Sequence, residues 1–161
     1  SNGDFTFTPA ANYHGSVPSA TYTLSDGALA ANSTLALVLT SVNDAPVGVA
    51  DAQTTDEDTA ATGNVLSNDT DVDGDTLSVT QFTWGSSTVL AGGTATLSGV
   101  GTLSIASNGD FTFTPAANYH GAVPSATYTL SDGTVTSTST LALAITSVND
   151  APVGVARTRA E

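Results

Sequence analysis

Apolar and polar residues alternate with a period of two in several short segments of the chain. Leu141, Leu143 and Ile145 alternate with small or polar residues. Tyr128 and Leu130 alternate with threonines in the same way. This alternation places one face of a strand against a core and the other towards solvent. No segment shows the 3.6-residue period of a convincing helix, so the pattern predicts an all-β protein.

Turn signals separate these alternating segments. Asn108 and Gly109 lie between two apolar pairs, Leu103 with Ile105 and Phe111 with Phe113, and Asn-Gly is a strong short-range hairpin signal. The sequence SDG at Ser131 supplies another tight turn. Several short strands bounded by turns, over roughly 100 residues, predict an antiparallel β-sandwich with Greek-key connections.

The second half of this pattern occurs twice. The sequence SNGDFTFTPAANYHG begins at Ser1 and again at Ser107, and the match runs without a gap to VNDAPVGVA. Across the 50 positions from Ser1 to Ala50, the two copies differ at eight. Near-identity over this length indicates recent tandem duplication in a longer array.

Two prolines frame the repeat. Pro46 and Pro152 each follow VNDA and are typical of linker punctuation. We therefore predict one complete repeat at residues 45–150, preceded by the C-terminal half of another repeat at residues 1–44. Residues 151–161 are interpreted as the start of a further linker and a terminal tail, since RTRAE departs from the repeat.

The charge balance excludes several functions. The chain has 15 acidic residues and only two basic ones, Arg157 and Arg159, for a net charge of −13 at pH 7. Without a basic patch, nucleic-acid binding is excluded, and the longest aliphatic run, residues 35–39, is too short for membrane insertion. Cysteine is absent, and together with the richness in small polar residues this suits a secreted or cell-surface bacterial protein stiffened by ions.

An acidic loop at residues 68–75, NDTDVDGD, is the strongest chemical signal. Its aspartates occupy alternate positions: Asp69, Asp71, Asp73 and Asp75. Carboxylates this close repel one another unless a cation lies among them, and no Lys or Arg occurs before residue 157. A hard divalent ion with oxygen ligands, calcium first, is the predicted partner. The alternative is a solvated acidic turn.

The loop matches only the first half of an EF-hand. Gly74 stands where a sharp turn is needed, but Thr80 occupies the position of the bidentate Glu. The flanking sequences predict a turn and a strand where an EF-hand has helices. Any remaining ligands must therefore come from elsewhere in the fold.

Framed in this way, residues 45–150 resemble a cadherin-like repeat of the large bacterial repetitive surface adhesins. The motifs that carry the resemblance are the linker VNDAP, then EDTAATG, NDTDVDGD and YTLSDG, and the return to VNDAP. The resemblance implies a Greek-key β-sandwich of the cadherin or immunoglobulin type in tandem repeats. It also implies calcium at the junctions between successive domains.

The resemblance assigns candidate ligands residue by residue. It implies that the upper junction of the complete repeat gathers Asn43, Asp44, Asp71, Asp73 and Asp132. It places Glu57 at the lower junction with Asn149 and Asp150. The linker lacks the extra Asp and Asn of animal cadherins, and PAANYHG lacks their central acidic pair. One or two ions per junction are therefore expected instead of three.

Two functional hypotheses follow. The first is a calcium-stiffened structural extender of an adhesin, serving cell adhesion, biofilm formation and filament formation. The alternative is a carbohydrate- or surface-binding module. Near-identical repeats favour the extender, because a rod needs uniform modules. An enzyme is not predicted: His14 and His120 occupy one turn of each copy, and the acidic loops that could hydrolyse a substrate are already explained by metal binding.

Two further features of the sequence are interpreted as structural. Trp84 is predicted to pack in the core in preference to a sugar-stacking platform. The run TVTSTST suggests an ice-binding array, but it forms a single strand and is poorly preserved in the other copy.

The expected partners are neighbouring repeats of the same protein. The half repeat at residues 1–44 should expose apolar residues and unpaired strand edges, so we expect a homo-oligomer or a fibre formed by strand pairing. The residues expected to be exposed are Phe5, Phe7, Leu35, Leu37 and Leu39.

Overall fold

The structure is a computed structural model that describes residues 2–152 and 154. The chain divides into two compact units, Ser1–Asp44 and Ala45–Glu161. All regular elements among the described residues are strands, as the period-two alternation predicted. A helix long and apolar enough to cross a membrane is not found in that part of the chain.

The first unit contains two short antiparallel pairs. β2 and β3 form a hairpin in which Ala20 lies opposite Leu35 and Ser25 opposite Ala30. β1 pairs with β4. The four strands are β1 (Gly15–Ser16), β2 (Ala20–Ser25), β3 (Ala30–Leu35) and β4 (Val38–Leu39).

The second unit contains nine strands in two sheets. They are β5 (Asp51–Asp56), β6 (Ala61–Asn64), β7 (Ser78–Trp84), β8 (Ser87–Leu90), β9 (Thr94–Leu97), β10 (Gly101–Ile105), β11 (Asp110–Pro115), β12 (Ala126–Ser131) and β13 (Thr136–Thr146). One sheet has the order β6-β11-β10-β9 and the other β5-β13-β12-β7-β8. All pairs are antiparallel except β5 with β13. The predicted all-β sandwich is confirmed.

The predicted hairpin turns form where the sequence places them. β10 and β11 pair across Asn108 and Gly109, with Ile105 opposite Phe111. Gly109 has φ of +88°, a left-handed conformation that favours glycine. β12 and β13 pair across the SDG turn, with Ser131 opposite Thr136.

The core lies between the two sheets and follows the alternation. In β13, Leu141 and Leu143 are buried while Ala142 and Ala144 are exposed. Trp84 is 1% exposed and meets Phe113 edge to face, with ring centroids 5.8 Å apart. The predicted core role of Trp84 is therefore confirmed. The largest buried side chains also include Tyr128, Phe82, Leu103, Ile105 and Leu130.

Identical sequences in the two units have different environments. Phe113 is fully buried, whereas its counterpart Phe7 is 41% exposed. Phe5 is also exposed, as predicted, but Leu35, Leu37 and Leu39 are half-buried. Leu35 is partly covered because it lines a groove with Phe5 and other apolar residues of the first unit. Burial is thus set by what covers a strand.

We expect Phe113→Ala to reduce the free energy of unfolding of the complete repeat by about 3–5 kcal/mol, because it opens a cavity in the core. The matched control, Phe7→Ala, changes the same sequence position on an exposed surface and should cost less than about 0.5 kcal/mol. Urea unfolding followed by Trp84 fluorescence measures both. Equal losses in the two variants would contradict the assignment of the core.

Candidate metal site

The acidic loop is fastened to the segment through which the chain enters the complete repeat. Val47 and Thr70 exchange backbone hydrogen bonds, with N to O distances of 2.8 and 3.1 Å. Asn68 adds a weaker bond from its side-chain amide to the carbonyl of Val49, at 3.4 Å. The loop between β6 and β7 therefore has a fixed position relative to residues 47–49.

Asp71 organises the loop from within. Its Oδ1 accepts hydrogen bonds from the amides of Asp73 and Asp75, at 2.9 and 3.3 Å. Gly74, with φ of +81°, makes the turn that the sequence predicted, and its amide donates to the Asp71 carbonyl at 3.4 Å. The backbone is thus wrapped around one carboxylate oxygen, as in an Asx turn.

The other oxygen of Asp71 is different. Oδ2 is buried and has no hydrogen-bond partner among the described residues. A buried carboxylate oxygen without a donor is destabilising, and the nearby charges in the loop are negative. A hard cation would satisfy this oxygen, so the local chemistry fits calcium.

Asp132 lies at the same end of the five-stranded sheet as this loop. It follows Ser131, the last residue of β12, which is opposite Ser78, the first residue of β7. Its Oδ1 accepts hydrogen bonds from the amides of Thr134 and Val135, at 2.6 and 2.7 Å. Three sequence-predicted ligands therefore share one end of the repeat: Asp71, Asp73 and Asp132.

Asp69 faces inwards and is held by protein donors. Its Oδ1 accepts the amide of Val49 at 2.7 Å, and its Oδ2 lies 3.0 Å from the hydroxyl of Tyr128. The same hydroxyl is 3.0 Å from Asp51 Oδ2 and 2.9 Å from the carbonyl of Val65. A hydroxyl has one proton, so these acceptors share a single donor. Ion binding by Asp69 stays a prediction. An ion there would compete with these hydrogen bonds for the carboxylate oxygens of Asp69.

Burial shifts the pKa of two groups in this cluster. It raises the pKa of the Asp51 carboxyl, and the hydrogen bond from Tyr128 only partly offsets the effect. Burial is also the main cause of the raised pKa of the Tyr128 hydroxyl, which stays protonated and available as a donor. Sequence reasoning missed Asp51; the inward-facing Tyr128, whose buried hydroxyl needs a partner, was the available signal.

Glu57 lies at the opposite end of the repeat. β13 begins beside Asp132 and ends beside Glu57, and its 11 residues span roughly 35 Å. Oε1 of Glu57 accepts the amide of Val148 at 2.6 Å and the hydroxyl of Ser147 at 3.1 Å. Its Oε2 is 3.5 Å from Nδ1 of His120, whose side chain is exposed. The Val148 amide is the main cause that lowers the pKa of Glu57.

The two VNDA linkers have the same local geometry. The side-chain amide of Asn43 donates to the carbonyl of Asp44 at 3.0 Å, and that of Asn149 donates to the carbonyl of Asp150 at 3.3 Å. Asn149 follows directly after Val148, the residue bound by Glu57. Asn43 and Asp44 belong to the first unit, so their meeting with Asp71, Asp73 and Asp132 stays a prediction.

The described residues contain no group of three or more His, Cys, Asp or Glu side chains close enough to hold a metal ion. A calcium ion at Asp71 would therefore need further oxygens in addition to the carboxylates at this end of the repeat. Backbone carbonyls and asparagine side chains are common calcium ligands.

Two family models match the chain. The model described as a bacterial cadherin-like domain matches residues 43–147. The model described as a cadherin-like domain matches residues 1–40. No curated protein matches the chain.

Similar solved structures include a hydrolase and domains of titin. An endo-fucoidan hydrolase of glycoside hydrolase family 107 is 19% identical, with a TM-score of 0.42 over 81% of this chain and 19% of its own. The titin domains Z1Z2 in complex with telethonin are 16% identical, with a TM-score of 0.39 over 81% of this chain and 62% of theirs. The chain thus spans less than two thirds of either structure.

We expect Tyr128→Phe to destabilise the complete repeat by about 1–3 kcal/mol, because half-buried Asp51 and Asp69 lose their shared donor. The matched control is Tyr22→Phe, the same position of the other copy, where the side chain is 46% exposed. Urea unfolding in the presence of chelator measures both without a contribution from metal. A negligible loss in Tyr128→Phe would show that the cluster does not stabilise the fold.

Glu57→Gln should lower the melting temperature at neutral pH, since the lowered pKa means that the folded state favours the charged carboxylate. The contribution is present above the ordinary carboxyl pKa of 4.5 and is lost as the pH falls through the folded-state value. The difference from the unmodified chain should therefore shrink in acid. Calorimetry across this range tests it, with exposed Asp4→Asn as control, and a constant difference would contradict it.

Proposed function

Because the chain belongs to the bacterial cadherin-like domain family, we propose that residues 45–150 form a calcium-stiffened extender repeat of a bacterial adhesin. Bacterial cadherin-like domains are typically extracellular or surface modules, and they are structural instead of enzymatic. The proposal assigns this chain a role in cell adhesion and biofilm formation, as a spacer that holds another part of its protein away from the cell.

The orphaned Oδ2 of Asp71 is the observation that carries the calcium proposal. Asp71, Asp73 and Asp132 supply carboxylates at one end of the repeat, and Asp75 lies at the edge of the same loop. Asp69 acts differently: its bonds to Val49 and Tyr128 hold the loop in place. Calcium supplies the positive charge that this end of the domain lacks.

The preceding linker can reach this end. Asp44 is three residues before Val47, which is paired with Thr70, the neighbour of Asp71. Three residues span at most about 11 Å. We propose that Asn43 and Asp44 complete the ligand set, so that one ion binds groups on both sides of the linker.

A second ion site is proposed at the other end. Glu57 fixes Val148, and Asn149 and Asp150 follow directly in the chain. Asn149 and Asp150 would occupy, towards the next repeat, the place that Asn43 and Asp44 occupy towards this one. Glu57 would join them as a ligand from the complete repeat. Each repeat then contributes ligands to two junctions, and its partners are the neighbouring repeats of the same protein.

The stiffening follows from charge. Domain ends rich in carboxylates repel one another, and a linker that contains no basic residue cannot neutralise them. An ion held by both sides removes the repulsion and restricts the hinge. Trp84 is buried and cannot serve as a sugar-stacking platform, so the residue that suggested carbohydrate binding does not support it.

We expect calcium to raise the melting temperature of the chain relative to excess chelator, with a Kd of about 0.1–1 mM, typical of extracellular modules. Asp71→Asn combined with Asp73→Asn should weaken binding at least about tenfold in isothermal titration. The asparagine at position 71 keeps Oδ1 as the acceptor for the loop amides and replaces only the orphaned oxygen. An unchanged melting temperature with calcium would sink the proposal.

A matched pair separates binding from turn stability. Asp132→Asn should weaken calcium binding, whereas Asp26→Asn should not. Asp26 accepts the amides of Ala28 and Leu29, both at 2.8 Å, in the same turn of the other copy. The first unit has no counterpart of the acidic loop, so Asp26 serves as the control for the hydrogen bonds alone.

A further inference from the structure

The first unit presents an apolar groove of about 610 Å³. Phe5, Tyr22, Leu24 and Leu35 line it. Phe5, Tyr22 and Leu24 are 62%, 46% and 55% exposed. Their counterparts 106 positions later, Phe111, Tyr128, Leu130 and Leu141, are all buried in the core of the complete repeat.

The two hairpins behind these faces are built alike. β2 and β3 pair with Ala20 opposite Leu35, and β12 and β13 pair with Ala126 opposite Leu141. The register of the hairpin is therefore the same in both copies, although residues 4–9, which correspond to β11, form no strand in the first unit. The complete repeat shows what covers such a face.

The covering strands come from residues 45–106. β6 pairs with β11, so that Ala61 lies opposite Phe113 and Gly63 opposite Phe111. A Cβ on Gly63 would lie 2.7 Å from the Phe111 ring, so the absence of a side chain there makes room for the ring.

β7 pairs with β12, the hairpin strand that carries Tyr128. Its side chains Val79, Phe82 and Trp84 lie in the core. The indole of Trp84 donates to the carbonyl of Pro124 at 2.8 Å. The counterpart of that carbonyl in the first unit belongs to Pro18.

We propose that residues 2–44 are an acceptor for the first half of a repeat, a segment with the sequence of residues 45–106 supplied by another copy of the repeat. The donor adds its β6-type strand beside Phe5 and Phe7 and its β7-type strand beside Tyr22. Its apolar residues fill the groove, and its tryptophan donates to the carbonyl of Pro18. Recognition uses strand addition with a large apolar interface.

Exchange among molecules of this 161-residue polypeptide supplies no additional first half. The 161 residues include two second halves, residues 1–44 and 107–150, and one first half, residues 45–106. A first half that moves to the groove of another chain leaves residues 107–150 of its own chain uncovered. Exchange therefore buries no additional core, and an extra first half is required.

The duplicated sequence also identifies the face that stays outside. Val38 is 87% exposed, and its counterpart in β13, Ala144, is exposed in the complete repeat. Phe7, in contrast, corresponds to the fully buried Phe113. A charge at position 7 should therefore block the donor, whereas a charge at position 38 should not.

The test mixes the full 161-residue chain with a polypeptide of residues 45–106 fused to a soluble carrier, in chelator, with the carrier alone as blank. Native mass spectrometry should show a one-to-one complex. In isothermal titration, Phe7→Asp should raise the Kd at least about tenfold, because a charge would enter the core. Val38→Asp should leave it within about twofold. Unchanged Trp84 fluorescence confirms that the complete repeat of each variant is folded.

Several results would overturn the proposal. One is the absence of a complex. Another is equal binding by Phe7→Asp, which would mean that the donor pairs with an open strand edge or displaces its twin from the complete repeat. Self-association of the chain that the donor does not reverse would assign the groove to a second copy instead. Because the assay contains chelator, its outcome is independent of the calcium proposal.

Discussion

The lack of basic residues before Arg157 is the constraint on which the rest of the structure depends. Carboxylates that would elsewhere pair with lysine or arginine are satisfied here by backbone amides and hydroxyls. Asp132 caps the amides of its own turn, Asp69 binds Val49 and Tyr128, and Glu57 binds Val148. Hydrogen bonds to ionised carboxylates are among the stronger hydrogen bonds in proteins, so these amide and hydroxyl partners contribute to the stability of the fold. The acidic residues thus also hold the loops in position through hydrogen bonds.

The duplicated segment distinguishes formation of a hairpin from burial of its side chains, which are usually observed together. The β2–β3 and β12–β13 hairpins have the same register, although the side chains of one are exposed and those of the other are buried. Turn chemistry and local alternation are therefore enough to specify the hairpin. Burial depends on strands from the other half of the repeat, and most of the stabilisation comes from that burial.

This separation explains what the sequence could predict. Period-two alternation and the Asn108-Gly109 turn are local signals, and both were confirmed. The parallel pairing of β5 with β13 was not foreseen, because DAQTTD has no apolar alternation and its partner lies about 90 positions later. The same holds for the cluster around Tyr128, whose hydroxyl meets Asp51 across 77 positions. The alternating charge pattern alone does not distinguish Asp69 from Asp71; their different roles come from where the fold places Val49 and Tyr128.

The alternation of aspartates in the loop separates two roles. Asp69 is anchored inwards by donors of the domain, while Asp71, two residues later, keeps an oxygen without a donor. An ion can stiffen a junction only if its ligands on each side are already rigid, since flexible ligands would move with it. The Val47–Thr70 pair and the bonds of Asp69 provide that rigidity on the side of the complete repeat. The hydrogen bonds of the fold therefore order the acidic loop without a cation, and the remaining effect of the proposed ion would be on the linker.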